Sequence, residues 1–315
     1  MSEQSIAGIL KNKFWDDLQE ISKSLCKKHR LRYNPNIENH ISRWISYVLR
    51  LVEPKERSTD FSKGFWERIP EVCIPAVKLL ADKFEHGENV NPYQSRTIKS
   101  NNLSEKKRRR TDLLWADWKI HHFHLSTSPS PEDDGFYPRS DYLLFAIVRD
   151  DYVYFLDVKF HKSEDCFSDP LFIRQIVESW PEMAEYNRLE SIAPGEELDA
   201  KNIAKYRKMG LNVATSLNGS VYAMGWGISS ACTPIEDIIS RDKIFFEIET
   251  LAKGLFNYCE KVGIQINPAN ISLAITKGKL NIIYSDNKLS FSSINMRQLK
   301  QTNCFFNQSW LLKGF

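Results

Sequence analysis

The chain of 315 residues has no apolar run of the ~20 residues that a helix needs to span a bilayer. Its first residues, MSEQSIAGILKNK, lack the apolar centre of a secretory signal. Cysteine is sparse and scattered (26, 73, 166, 232, 259 and 304), with no C-x-x-C pair. Neither a zinc knuckle nor a disulfide framework is therefore indicated, and a reducing cytoplasm is the expected setting, with no membrane partner. There is no large charge imbalance either. A net charge of +3 neither requires nor opposes a nucleic-acid partner.

What the chain does have is one stretch, Thr111–His161, that gathers groups able to do chemistry. Four of the seven histidines fall in it (His121, His122, His124 and His161), together with Asp157 and Lys159 two apart in an apolar run. If Ile120–Leu125 is extended, His122 and His124 point to one face and His121, Phe123 and Leu125 to the other. Tyr142–Val148 and Tyr152–His161, separated by Arg149-Asp150-Asp151, read as a β-hairpin. Strict alternation on its second strand places Val153, Phe155, Asp157, Lys159 and His161 on one face. Three ionisable positions at the end of a buried strand face mark a candidate site.

Before this stretch, residues 5–30 and 38–52 carry apolar side chains at helical spacing, and 60–86 is a segment interrupted by Pro70 and Pro75. The first 90 residues are expected to be a helical lobe, with His29 and His40 as surface groups. Residues 87–110 are polar and end in Lys106, Lys107, Arg108, Arg109 and Arg110, either a solvated linker or a phosphate-contacting patch. After the stretch, a helix follows Ser168-Asp169-Pro170 and stops at Pro181, carrying Gln175 and Glu178 back towards the sheet. Another helix spans 200–209 and is capped at Gly210. Asn218-Gly219 marks a tight hairpin. Gly225-Trp226-Gly227 reads as a structural turn because it lacks P-loop spacing. Thr233-Pro234-Ile235-Glu236 predicts a capping box at the start of a long helix. Two further strands, 271–276 and 280–285, are expected to continue the same sheet system. The overall expectation is an α+β fold: a helical N-terminal lobe (1–90), a central β-hairpin domain (91–190) and an α+β C-terminal segment (191–315), with a mostly antiparallel sheet and packed helices.

Two chemistries fit the residue types. Ser140-Asp141 on one strand followed by Asp157-Val158-Lys159 on the next resembles the PD-(D/E)xK nuclease signature, with Ser140 where proline is usual. That resemblance implies a divalent cation, Mg²⁺, held by Asp141 and Asp157, with Lys159 orienting the attacking water. The other chemistry is metal-free RNA cleavage by His122, His124, Arg139, Lys159 and His161, in which histidines move protons and cations stabilise the transition state. A third option is a metal site built on the His122-x-His124 pair and an acid.

The blocks DLLWADWKIHHFHL, RSDYLLFAI, YFLDVKFH, IRQIVESWPE and YRKMGLNVATSLNGSVYAMGWGISS, over roughly residues 90–250, resemble those of bacterial proteins found among phage-defence and toxin genes. The resemblance implies an intracellular effector restrained by a protein or nucleoprotein partner. His122, His124, Arg139 and His161 map onto its pattern, which requires no acid–lysine pair at Asp157 and Lys159. The resulting expectation is a nucleic-acid-cleaving effector. The alternative is a non-enzymatic module that binds nucleic acid or protein.

Overall fold

The computed structural model describes residues 3–32, 39–99, 112–164, 166–230, 233–284, 299–307 and 309–313. The basic run Lys106–Arg110 lies outside them. The fold is α+β. Among the described residues no helix is long and apolar enough to cross a membrane. The chain divides into two compact units, 1–49 with 237–314 and 50–236. This division is not the sequential one at residues 90 and 190, because the N-terminal helices pack with the C-terminal segment.

The first unit begins with α1 (Glu3–Lys28) and α2 (His40–Val48). Asn39 caps α2 through its side chain, which accepts from Ser42 N. His29 is no surface group. It is buried between the rings of Trp44 and Tyr47, with centroids at 5.1 and 5.4 Å. His40 is half-buried.

The second unit carries the candidate site. The lobe expected to be helical contains a strand, β1 (Ser58–Phe61), before the short α3 (Phe65–Arg68) and α4 (Ile74–Glu85). Next come α5 (Leu113–Trp118), β2 (Ile120–His124), β3 (Tyr142–Val148) and β4 (Tyr152–Phe160). The four strands form one sheet in the order β1-β4-β3-β2, antiparallel except for the β1–β4 pair. One face packs Phe123, Leu144, Val153 and Phe155 against Phe65 of α3 and Phe84 of α4. The other face is covered by α6 (Leu171–Ser179), which breaks at Trp180, and by α7 (Pro181–Tyr186) and α8 (Ala200–Lys208). Each phenylalanine so buried contributes roughly 1.5–3 kcal/mol, far more than an exposed ion pair, so apolar burial holds the layers together. The hairpin β5 (Thr215–Leu217) and β6 (Ser220–Tyr222) turns on Asn218 and Gly219, both at positive φ as its turn type requires.

The chain then returns to the first unit through α9 (Ile235–Lys261), β7 (Ile271–Thr276), β8 (Lys279–Tyr284), α10 (Lys300–Phe306) and α11 (Ser309–Lys313). β7 and β8 form a separate two-stranded sheet and do not extend the first. Asp17 of α1 accepts from Leu273 N at 2.7 Å, and Glu247 of α9 accepts from the Gln301 and Thr302 backbone at 2.8 Å.

The hairpin β3–β4 departs from strict alternation. Phe145 opposes Asp157 while Ala146 opposes Phe155, so Leu156 is an extra residue, a β-bulge. Val153 and Phe155 therefore face α4, whereas Asp157 and Lys159 have switched to the other face. The expected single face for Val153, Phe155, Asp157, Lys159 and His161 is corrected by this one insertion. The bulged carbonyl is satisfied from the residue after β1 and from α3: Leu156 O accepts from Ser62 Oγ at 2.6 Å and from Arg68 Nη2 at 3.3 Å. Replacing Ser62 by Ala should destabilise the fold by about 1–2 kcal/mol, the usual cost of orphaning a buried acceptor in part. Urea unfolding of the two proteins measures this directly, and an unchanged midpoint would mean that the bulge does not depend on the serine.

Candidate functional site

The site lies on the sheet face covered by α6 and α8. Pairing across β2, β3 and β4 aligns His122 with Phe145 and Asp157, and His124 with Leu143 and Lys159. His122 and His124 do share a face. His161 follows the end of β4, where its N–H donates to Asp141 O at 2.6 Å. Its ring lies 5.8 Å from that of His124. The Phe167 ring sits between His122 and His161, at 5.1 and 6.2 Å. Three imidazoles thus gather at one end of the sheet, with His161 exposed, His122 half-buried and His124 buried.

Asp112 was not among the candidates, yet it organises this end. It is the N-cap of α5 and accepts from Leu114 N and Trp115 N at 3.0 and 3.2 Å. Its other oxygen lies 2.9 Å from His122 Nδ1 in an ion-pair contact. Burial alone would raise the Asp112 carboxyl. The His122 charge, the Trp115 N–H and Arg50 outweigh burial and bring it down to about 2. The signal was present in the sequence: an aspartate directly before Leu-Leu-Trp-Ala is a helix-start pattern.

His124 is oriented by the backbone. Ser140 N donates to its Nδ1 at 3.4 Å, so the neutral ring carries its proton on Nε2. Burial, then the charges of His122, His161 and Arg139, lower His124 to about 4. Burial, followed by His122 and Arg139, also lowers His161. Arg139 is exposed at the end of the loop before β3, where its charge acts on both rings. His121 lines a cavity of about 20 Å³, room for about one water, together with Arg50, Gln94, Asp112 and His122. Burial lowers His121 to about 3.

A cleft of about 300 Å³ opens beside the imidazoles and is lined by Asp112, His161, Ser163, Phe167, Ser168 and Lys208 among others. That volume is at the lower end for small-ligand sites. Behind it, Arg207 is buried and pairs with Asp117 at 2.8 Å and with Phe167 O at 2.7 Å, tying α8 to α5.

The acid–lysine pair is engaged otherwise. Lys159 Nζ lies 2.7 Å from Asp169 and 3.4 Å from Asp157, and Gln175 Nε2 donates to Asp157 Oδ2 at 3.1 Å. Gln175 thus returns to the sheet as expected, whereas Glu178 is exposed. Asp141 and Asp157 are not brought together. Asp141 lies beside His161 and Asp157 beside Phe145, four positions along the ladder, or roughly 13 Å at ~3.3 Å per residue. One Mg²⁺ cannot bridge carboxylates so separated at ~2.1 Å each, so the residues do not fit the expected metal site. Among the described residues no group of three or more His, Cys, Asp or Glu side chains is placed to hold a metal.

Compared with known protein families, with curated proteins and with solved structures, the chain matches none.

The lowered histidines set a pH dependence of stability. His121 and His124 titrate in the fold below their unfolded value of about 6.5, so the unfolded chain binds more protons in between. Their contribution is complete above about pH 6.5 and is lost as pH falls towards 4 and 3. Urea unfolding at pH 7 and 5 should show a loss of about 1–2 kcal/mol attributable to His124 by linkage. His124→Gln should flatten that slope. A slope that stays the same would place the proton uptake elsewhere. Asp112 acts in the same sense at lower pH, stabilising fully above its unfolded value and losing effect as pH falls towards 2.

Proposed function

We propose that this chain is an RNA-cleaving effector of the toxin or anti-phage type that acts in the cytoplasm by metal-free acid–base chemistry. The observation that carries the reading is the approach of the His124 and His161 rings, 5.8 Å apart, next to the Asp112–His122 pair at the edge of a cleft. Histidines with lowered pKa values are proton acceptors at neutral pH. In this reading His161 takes the proton of a ribose 2′-hydroxyl and the 2′-oxygen forms a bond to the adjacent phosphorus. The bond from phosphorus to the 5′-oxygen breaks, and that oxygen takes a proton from His122. Arg139 offsets the charge that builds on the equatorial oxygens. His124, neutral and held by Ser140 N–H, keeps the second face of the site free of positive charge. Asp157, Lys159, Asp169 and Gln175 form a structural network beneath it. A restraining protein or nucleoprotein partner would keep such an effector inactive until triggered.

The test is incubation of the purified protein with total RNA and with plasmid DNA, with and without chelator. RNA loss should be insensitive to chelator and should fall by about 10²–10⁴ in His161→Ala and in His122→Ala. The acid limb of the rate profile should lie below pH 6.5, because His161 is lowered. Loss that requires a divalent cation would transfer the chemistry to other residues. Intact RNA and DNA throughout, with RNA bound, would identify a binding module instead.

A further inference from the structure

The Gly225-Trp226-Gly227 turn displays an indole that the fold does not use. Trp226 is 62 % exposed. The backbone on both sides of it is pinned. A Cβ on Gly225 would stand 2.5 Å from Asp117 O at the end of α5, and Gly227 N donates to Ala116 O at 3.1 Å. Gly227 has φ +76°, and a Cβ there would meet the Asn212 side chain at 2.3 Å. Asn212 in turn clamps Ile228, accepting from its N–H at 2.6 Å and donating to its carbonyl at 2.8 Å. Such a turn has no freedom to tuck the indole away. A rigid, solvent-facing tryptophan is a stacking surface.

The surroundings indicate what stacks on it. Asn212 draws the end of α8 alongside this turn, and the Gly210 backbone lies against Ser229 and Ser230. The last turn of α8 carries Lys205 and Lys208, both exposed, and Lys208 also lines the cleft beside His161. Two carboxylates of the elements that hold the turn are ion-paired, Asp117 with Arg207 and Glu236 with Lys119. From Asp112 at one end of α5 to the carbonyls that hold the turn is about 8 Å at 1.5 Å per residue. The helix α5 thus links Asp112, beside His122, to the turn that carries Trp226.

We propose that Trp226, with Lys205 and Lys208, is the docking platform for single-stranded nucleic acid, a base stacking on the indole while the lysines hold its phosphates. This rests on the cleavage reading for its link to the imidazoles, and it names the substrate as an unpaired strand. Stacking on an aromatic ring needs an exposed base face, which a duplex hides.

The experiment is fluorescence anisotropy with a labelled 2′-O-methyl oligouridine, whose blocked 2′-oxygen prevents cleavage, and with a duplex of equal length. Trp226→Ala should weaken single-strand binding about tenfold, Trp226→Phe should retain most of it, and duplex binding should not change. Lys205→Gln with Lys208→Gln should reduce the salt slope by roughly 0.7 per lysine. Equal affinity of Trp226→Ala and the unaltered protein for the oligomer would overturn the proposal. So would loss of a bound protein, rather than of the oligomer, on the same change. Oligomer binding that depends on Trp226 in a protein that cleaves no RNA would sustain this site and remove the catalytic reading. Cleavage by a protein whose oligomer binding ignores Trp226 would do the reverse.

Discussion

The Leu156 bulge, held by the Ser62 hydroxyl, is the constraint on which the rest depends. A strand of period two assigns every second side chain to one face, and a single extra residue exchanges the faces beyond it. Before the bulge β4 presents Val153 and Phe155 to α4; after it, Asp157 and Lys159 reach α6 and the histidine-bearing face. Without the insertion, the carboxylate and the ammonium would point into the apolar layer of Phe84 and Phe123. Burying unpaired charge there costs several kcal/mol, more than the bulge loses in ladder hydrogen bonds. Ser62 directly follows the parallel edge strand β1, whose pairing with β4 brings the hydroxyl to the bulge.

A second organising element is α5. Its six residues join two functions: the capping aspartate holds His122, and the carbonyls at the other end receive the turn that carries Trp226. The buried Arg207–Asp117 pair fixes this helix to α8. Removing one member of such a pair leaves an uncompensated buried charge and costs about 3–5 kcal/mol, so the pair locks the position of the helix even if it adds little net stability. The cleft, the imidazoles and the exposed indole are thereby arranged around one short rigid segment.

Legibility differed element by element. The β3–β4 hairpin was visible because aromatic and β-branched runs flank a polar turn, and the β5–β6 hairpin because Asn-Gly accepts positive φ. β1 was invisible: Ser-Thr-Asp-Phe is four residues long, alternately exposed and half-buried, and has no apolar signature. It is a strand because β4 offers it a partner and Arg57 anchors its start, donating to Arg149 O at 2.9 Å. His29 looked like a surface residue because a lone histidine in a lysine-rich helix end carries no burial signal, yet Trp44 and Tyr47 close over it.

By itself the sequence determined the α+β class, the hairpins and the helix-face identity of most apolar residues, since these follow from local periodicity and turn chemistry. It also determined that His122 and His124 share a strand face. Only the tertiary structure decided which groups meet. The strand register separates Asp141 from Asp157, the bulge turns Asp157 and Lys159 over, and the return of the chain after β4 brings His161 to His124. The capping of α5 places Asp112 against His122. These are distances between residues far apart in sequence, set by pairing and packing, and no local pattern encodes them.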